Sequence, residues 1–455
     1  MISVKRPLTA LIYNYGNLLP PTLRFPDRSP YLADGVTRRE VWAWAMFDFA
    51  NSGYTTVVIT AIFNAYFVSI VAGNKDWATL AWTSALSVSY LLIILTAPLL
   101  GAYVDAHAAK KRLLFVATVG CVGFTALLSF VGPGDLWLAI FLIILTNFFF
   151  GTGENLIAAF LPDLAPGEAL GRVSGWGWSL GYVGGLFSLG CSLIYVNWAQ
   201  DQGLQAAQYV PITMLITALL FAASSVPTFL YLKERPRQHL IPTERPALIQ
   251  SIARLKEIFN QKWRYHDLRC FLICLTFYQA GVQAVIILAA IYAQQVMGFG
   301  TGDTIFLILI VNITAALGAF IFGSIQDKIG HISTISMTLI GWVLMVLLAW
   351  GAEGPALFWV SATLAGLCLG ASQSSGRALV GYFSPASHRA EFFGLWGLAV
   401  KLSSILGPIT YGLISWITHG DHRLAMLVTG IYFIIGLIIL MGVNVERGRQ
   451  AALNN

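Results

Sequence analysis

The sequence predicts an all-α membrane protein whose twelve helices cross the bilayer as two sets of six. Three observations predict it. The 455-residue chain is 57% hydrophobic and only 11% charged, against roughly 25% charged residues in soluble domains, and its mean hydropathy is +0.72. Apolar runs near the roughly 20 residues that a span requires recur along it. Its basic residues gather in short clusters between those runs, which argues against a nucleic-acid binder despite a pI of about 9.0.

Residues 1–40 carry five prolines and no long apolar core. They read as an irregular cytoplasmic tail, not a cleavable signal peptide. Spans are expected near 41–71, 79–104, 112–131, 136–161, 171–197 and 209–232, forming an N-terminal bundle over 41–232. A polar linker, 233–268, follows. In it, PALIQSIARLKEIFNQKW puts Leu248, Ile252, Leu255, Ile258 and Phe259 on one face of an amphipathic helix suited to the inner leaflet. Six more spans are expected near 269–297, 303–326, 332–351, 355–382, 391–418 and 423–443. They form a C-terminal bundle over 269–443, before a second cytoplasmic tail, 444–455.

Charge tests the count. With the N-terminus inside, the inner loops hold Lys110, Lys111, Arg112, Arg172, Lys328, Arg389 and the basic linker, whereas the outer loops hold only Lys75 and Arg423. That is the asymmetry of the positive-inside rule, and an odd number of missed spans would scramble it. The five cysteines lie in or beside apolar segments without metal-type spacing. No Walker-type glycine-lysine motif occurs, and the seven histidines fall in loops, tails or helix ends. Neither a cofactor nor a metal is called for.

Six plus six invites a search for a repeat. GAYVDAHAAKKR after the second span and GSIQDKIGH after the eighth share Gly-x-x-x-Asp, with Gly101 and Asp105 matched by Gly323 and Asp327, 222 residues on. GTGEN at Gly151 and GASQS at Gly370 stand 219 apart in the fourth and tenth spans. Near-constant offsets point to a duplicated six-helix unit.

Ionisable side chains inside spans cost about 2.5–3.5 kcal/mol each unless they are paired or face water. Four occur: Asp48, Glu154, Arg377 and Lys401, all in the cytoplasmic halves of their helices. Asn51 and Thr55 continue the face of Asp48, and Tyr54 lies at its edge, as expected of a helix that borders a cavity or a neighbour. Tyr278, Gln279, Gln283 and Gln373 are the matching polar groups of the other half. Neutral polar groups and aromatics suit a small zwitterion or a neutral solute. Glycines crowd the fifth span, from Gly171 to Gly185, and permit close helix approach.

Gly-x-x-x-Asp followed by a basic cluster between spans two and three resembles the signature loop of the major facilitator superfamily. FDFANSGY (Phe47–Tyr54), FLPDLAPGEALGRVSGWGWSLGYVGG (Phe160–Gly185) and HRAEFFGLWGLAVKLSSILGP (His388–Pro408) resemble, more narrowly, the autophagy-related vacuolar effluxers. The resemblance covers about Arg39 to Glu446. In the signature loop, Ala108 and Ala109 replace the usual Gly and Arg. The seventh span has Gln279, Ala280 and Gly281 where the family tends to an Asp-Gly pair, and the tenth has Gly376, Arg377 and Ala378 for Ser-Arg-Ser.

The resemblance implies a major facilitator fold with spans 1, 4, 7 and 10 around a central cavity. It also implies a latch between the halves built from Gly101, Asp105, Lys110, Lys111 and Arg112, with Asp105 near the end of the eleventh helix. On that fold, Glu154 is expected to pair with Arg377 across the halves, and Asp48 to lie near Lys401 as the candidate proton carrier. The expected function is secondary transport by alternating access, with amino-acid efflux foremost. The partners are a small solute, protons and the bilayer, and the protein acts as a monomer. A drug, sugar or peptide transporter and a non-transporting sensor or scaffold on the same fold remain as alternatives.

Overall fold

The computed structural model describes residues 30–73, 75, 77–235 and 265–454. Twelve helices are long and apolar enough to cross a membrane, and no strand occurs among the described residues. They are α1 (Arg38–Val71), α2 (Ala78–His107), α3 (Lys110–Phe130), α4 (Leu136–Leu164), α5 (Gly167–Asp201) and α6 (Ala206–Tyr231), followed by α7 (His266–Gln295), α8 (Thr301–Ile329), α9 (His331–Trp350), α10 (Pro355–Phe383), α11 (Arg389–Ile417) and α12 (His422–Leu440). A short α13 (Val445–Leu453) closes the chain. Every span lies within a few residues of its expected place.

The helix ends follow local chemistry. Thr37 caps α1 by accepting from the Glu40 amide at 3.3 Å, Pro355 opens α10 where its missing N–H costs nothing, and Asp421 caps α12. Between α8 and α9, Gly330 takes φ 90°. At the equivalent turn between α2 and α3, Ala108 is held at φ 48°, ψ 47°, a left-handed conformation that costs a non-glycine residue about 1 kcal/mol. Beyond Tyr54, α1 widens into π-helical turns over Thr55–Ala61 and Phe67–Val71.

With an even number of spans, α1 begins and α12 ends on one side of the bundle, the terminal face. Within the first half α1 packs on α5 and α6, and within the second α7 packs on α11 and α12. Between the halves, α2 packs on α11 and α5 on α8 and α10, while α4 meets α11. The α2–α11 and α5–α8 contacts are equivalent under the repeat. Large apolar side chains such as Trp137, Ile194 and Ile438 are left on the outside, where hydrocarbon tails take the place of a protein core.

Helix reaches into both tail regions. Residues 38–40 already belong to α1. Most of 444–455 is helical because Asn444 caps α13 and Arg447 clamps Asp267 of α7 at 2.6 and 2.8 Å. The amphipathic stretch around Leu248, Ile252, Leu255, Ile258 and Phe259 lies outside the described residues.

Candidate functional site

Two ion pairs cross between the halves in the middle of the bundle. In the first, Arg377 of α10 donates from Nη1 to Asp48 Oδ2 of α1 at 2.7 Å. The same guanidinium donates from Nε to Ser174 Oγ of α5 at 3.1 Å and from Nη2 to the Ser174 carbonyl at 2.9 Å. Ser174 in turn donates to the Ser374 carbonyl at 2.9 Å. The indoles of Trp44 and Trp178 stand 4.8 and 5.2 Å from the guanidinium carbon, within cation–π range. Only 3% of the Arg377 side chain and 10% of that of Asp48 are exposed.

In the second pair, Lys401 Nζ of α11 donates to Glu154 Oε2 of α4 at 2.8 Å. The ammonium lies 5.5 Å from the Phe150 ring and 5.7 Å from that of Tyr90. Lys401 is nearly closed off, whereas 20% of the Glu154 side chain is exposed. Phe150, beside the Lys401 ammonium, stacks on Tyr54 of the helix that carries Asp48, which joins the two pairs into one cluster. Both acids come from the first half and both bases from the second.

The partners are exchanged relative to the sequence expectation, which put Glu154 with Arg377 and Asp48 near Lys401. The cause is helix packing. Here α5 packs along α10, which α4 meets only through its last turn, Leu161–Leu164, and Gly177 of α5 leaves room for the first pair: a Cβ there would stand 2.7 Å from both Arg377 Nη2 and the Trp44 ring. With α4 against α11, Glu154 faces Lys401.

The neutral polar candidates divide. Gln279 of α7 donates to Gln373 of α10 at 2.7 Å, leaving its own Oε1 buried without a partner. Asn51 is buried beside Asp48 on α1, its Oδ1 also without a partner. Tyr54 stacks on Phe150 of α4, with ring centroids 4.9 Å apart. Tyr278 is wholly buried, with its hydroxyl beside Gly376 of α10 and its Cβ beside Gly436 of α12. It therefore packs inside the second bundle. Gln283 is half-buried.

At the terminal face the halves are latched twice. Asp105 at the end of α2 accepts from the backbone N–H groups of Ala390 and Glu391 at 3.1 and 2.9 Å, in the first turn of α11. Asp327 at the end of α8 accepts from those of Gly171 and Arg172 at 3.0 and 3.1 Å, in the first turns of α5. Each carboxylate thus meets a helix N-terminus, whose partial positive charge and unpaired N–H groups favour an anion. Glycines allow the approach: a Cβ on Gly101 would stand 2.8 Å from Glu391 Cα, and one on Gly323 would stand 3.0 Å from Gly175 Cα. The terminal face is closed in this structure.

The basic cluster behind Asp105 is less uniform than the resemblance implies. Lys110 reaches Asp163 at 3.0 Å, and Arg389 pairs with the same carboxylate from the other half. Lys111 donates to the Leu232 carbonyl at 2.6 Å, within its own bundle. Arg112 is exposed and has no partner among the described residues, so it stands outside the latch.

Sequence reasoning missed Ser174, Trp44, Trp178, Asp163, Arg389 and Asn155. Asp163, Ser174, Trp178 and Arg389 stand inside the long strings that carry the resemblance, which was the available signal. Asn155 had none. It is buried on α4 with neither amide atom bonded, against Gly397 of α11, and only the meeting of those helices reveals it.

The profile described as "Vacuole effluxer Atg22 like" matches residues 67–453. An uncharacterized MFS-type transporter of Bacillus subtilis, YxiO, is 27% identical over 406 residues, covering 88% of this chain and 93% of that protein. Autophagy-related protein 22-1 of Aspergillus fumigatus is 25% identical over 334 residues, 67% of this chain but only 54% of the fungal protein. Among solved structures, the human organic anion transporter MFSD10 superposes with a TM-score of 0.69 at 13% identity, covering 89% of this chain and 99% of that one. That likeness establishes the fold.

Proposed function

The chain belongs to the vacuole effluxer Atg22-like family of major facilitator transporters, and from that premise we propose that it exports a small zwitterion, an amino acid, by proton-coupled alternating access. The observation that carries this reading is the sign pattern of the cluster. The first half offers two carboxylates, Asp48 and Glu154, and the second offers two cations, Arg377 and Lys401.

Separating the halves on this side requires those pairs to part. Removing one partner of a buried pair costs about 3–5 kcal/mol, so an empty transporter resists the change. A zwitterion replaces both partners at once: its carboxylate takes the planar fork of Arg377, and its ammonium takes Asp48. A proton on Asp48 also cancels the charge left behind. Contacts that differ between two conformations are what a ligand uses to shift their balance. Asn51 and Asn155, with their unbonded amide atoms, supply the neutral contacts.

Counterflow in proteoliposomes with a mixed amino-acid panel tests the cargo. Exchange of at least one member is expected; movement of a drug, sugar or peptide with no amino acid exchanged overturns the assignment. Proton coupling is tested separately. If Asp48→Asn leaves pH-gradient-driven flux unchanged, the carrier is not Asp48.

A further inference from the structure

A groove of about 640 Å³ opens on the outer surface of the bundle, away from the ion-pair cluster. Its floor and walls are Trp42 of α1, Trp176, Leu180 and Val183 of α5, and Phe320 of α8, with Arg38 as the one charged lining residue. Trp42 is 50% and Phe320 52% exposed, on a surface that faces lipid. Arg38 begins α1, is exposed, and has no hydrogen-bond, ion-pair or ring partner among the described residues. From Gly167, where α5 starts at the terminal face, Val183 lies sixteen residues in, roughly 24 Å at 1.5 Å per residue. The groove thus runs from the membrane boundary toward mid-bilayer, cationic at one end and mostly apolar along the rest, with Ser179 and Tyr31 as its neutral polar lining residues.

We propose that this groove binds an anionic phospholipid, with its phosphate on Arg38 and one acyl chain along Trp176, Leu180, Val183 and Phe320. Charge complementarity selects the occupant. A cation at the membrane surface above an apolar channel matches a headgroup phosphate above a hydrocarbon chain, and surface arginines attract anionic lipid. The aromatic rims suit the interfacial layer where indole rings settle.

The site also reports on conformation. Trp42 and Leu180 belong to the first half, and Phe320 belongs to the second. Tyr31, another lining residue, lies 3.7 Å over the guanidinium of Arg172, whose amide donates to Asp327. Parting α5 from α8 removes one wall of the groove, so a bound lipid favours the closed terminal face.

The test uses the full chain purified in detergent and titrated with phosphatidylglycerol or phosphatidylcholine, with retained lipid counted by native mass spectrometry. Preferential retention of phosphatidylglycerol is expected. Arg38→Ala should weaken it about tenfold, the loss of one charge-assisted contact. Equal retention of the two lipids, or an unchanged affinity in Arg38→Ala, overturns the proposal. A photoreactive benzoylphenylalanine at Leu180 identifies the occupant in membranes. A cross-link to phospholipid supports the assignment, whereas one to residues 1–29 or to a second copy of the chain overturns it.

Discussion

The two buried ion pairs share a sign pattern and differ in their surroundings. Asp48–Arg377 is sealed: the guanidinium has a carboxylate, a serine hydroxyl, a carbonyl and two indoles around it. Glu154–Lys401 has one hydrogen bond between two flexible side chains, with the Phe150 and Tyr90 rings beside the ammonium and Glu154 partly open. The first pair ties three helices, α1, α5 and α10, into one unit, so its loss is felt by the fold. The second joins α4 and α11 by one hydrogen bond, with Tyr90 of α2 beside it, and its loss is felt by the passage between conformations.

Removing Arg377 should give the largest effect. Arg377→Ala strands Asp48 in a dry site, and a stability loss of about 3–5 kcal/mol is expected, read as a lower melting temperature in detergent together with lost transport. Arg377→Lys should not restore transport, because an ammonium cannot reproduce the fork that holds Asp48 and Ser174 at once. If Lys restores both properties, the first pair is no more specific than the second.

Lys401→Ala should cost less, about 1–3 kcal/mol, because Glu154 keeps some access to water. Glu154→Gln combined with Lys401→Met should recover much of that stability without recovering transport. A double variant as unstable as the single one would erase the distinction between a structural and a conformational pair.

The smallest effect is expected at the latches. Asp105→Asn and Asp327→Asn each remove a charge from a helix N-terminus, worth about 1 kcal/mol. Each should increase the reactivity of cysteines placed along the terminal face. Asp105→Asn should act more weakly, because Asp163 bridges Lys110 and Arg389 beside it, whereas Asp327 has Arg172 alone at 4.0 Å. Equal effects would show that the Asp163 bridge does not reinforce its latch.

Much of this was legible in the chain. The twelve spans follow from apolar length, because a backbone in hydrocarbon must satisfy its own hydrogen bonds and forms helices to do so. The four charges in the interior stand out because each is costly there. Gly101, Asp105 and Asp327 were visible as a repeated string. Even the departure at Ala108 has a physical reading, since its turn takes the left-handed conformation that the family's usual glycine adopts freely.

The pairing was not legible. Which acid meets which base depends on which helix faces which, and that is decided by surfaces hundreds of residues apart in the chain. Gly177 sets the approach of Arg377 to Asp48, a relation across 329 positions that no local pattern encodes. Asn155 stayed hidden for the same reason, since an asparagine in a span becomes informative only once a neighbouring helix leaves it unbonded. By itself the sequence determined the number of spans, their membrane setting and the charges they carry, because these follow from hydropathy along one stretch of chain. Only the tertiary structure decided the partners, because helix packing selects contacts by shape between distant surfaces.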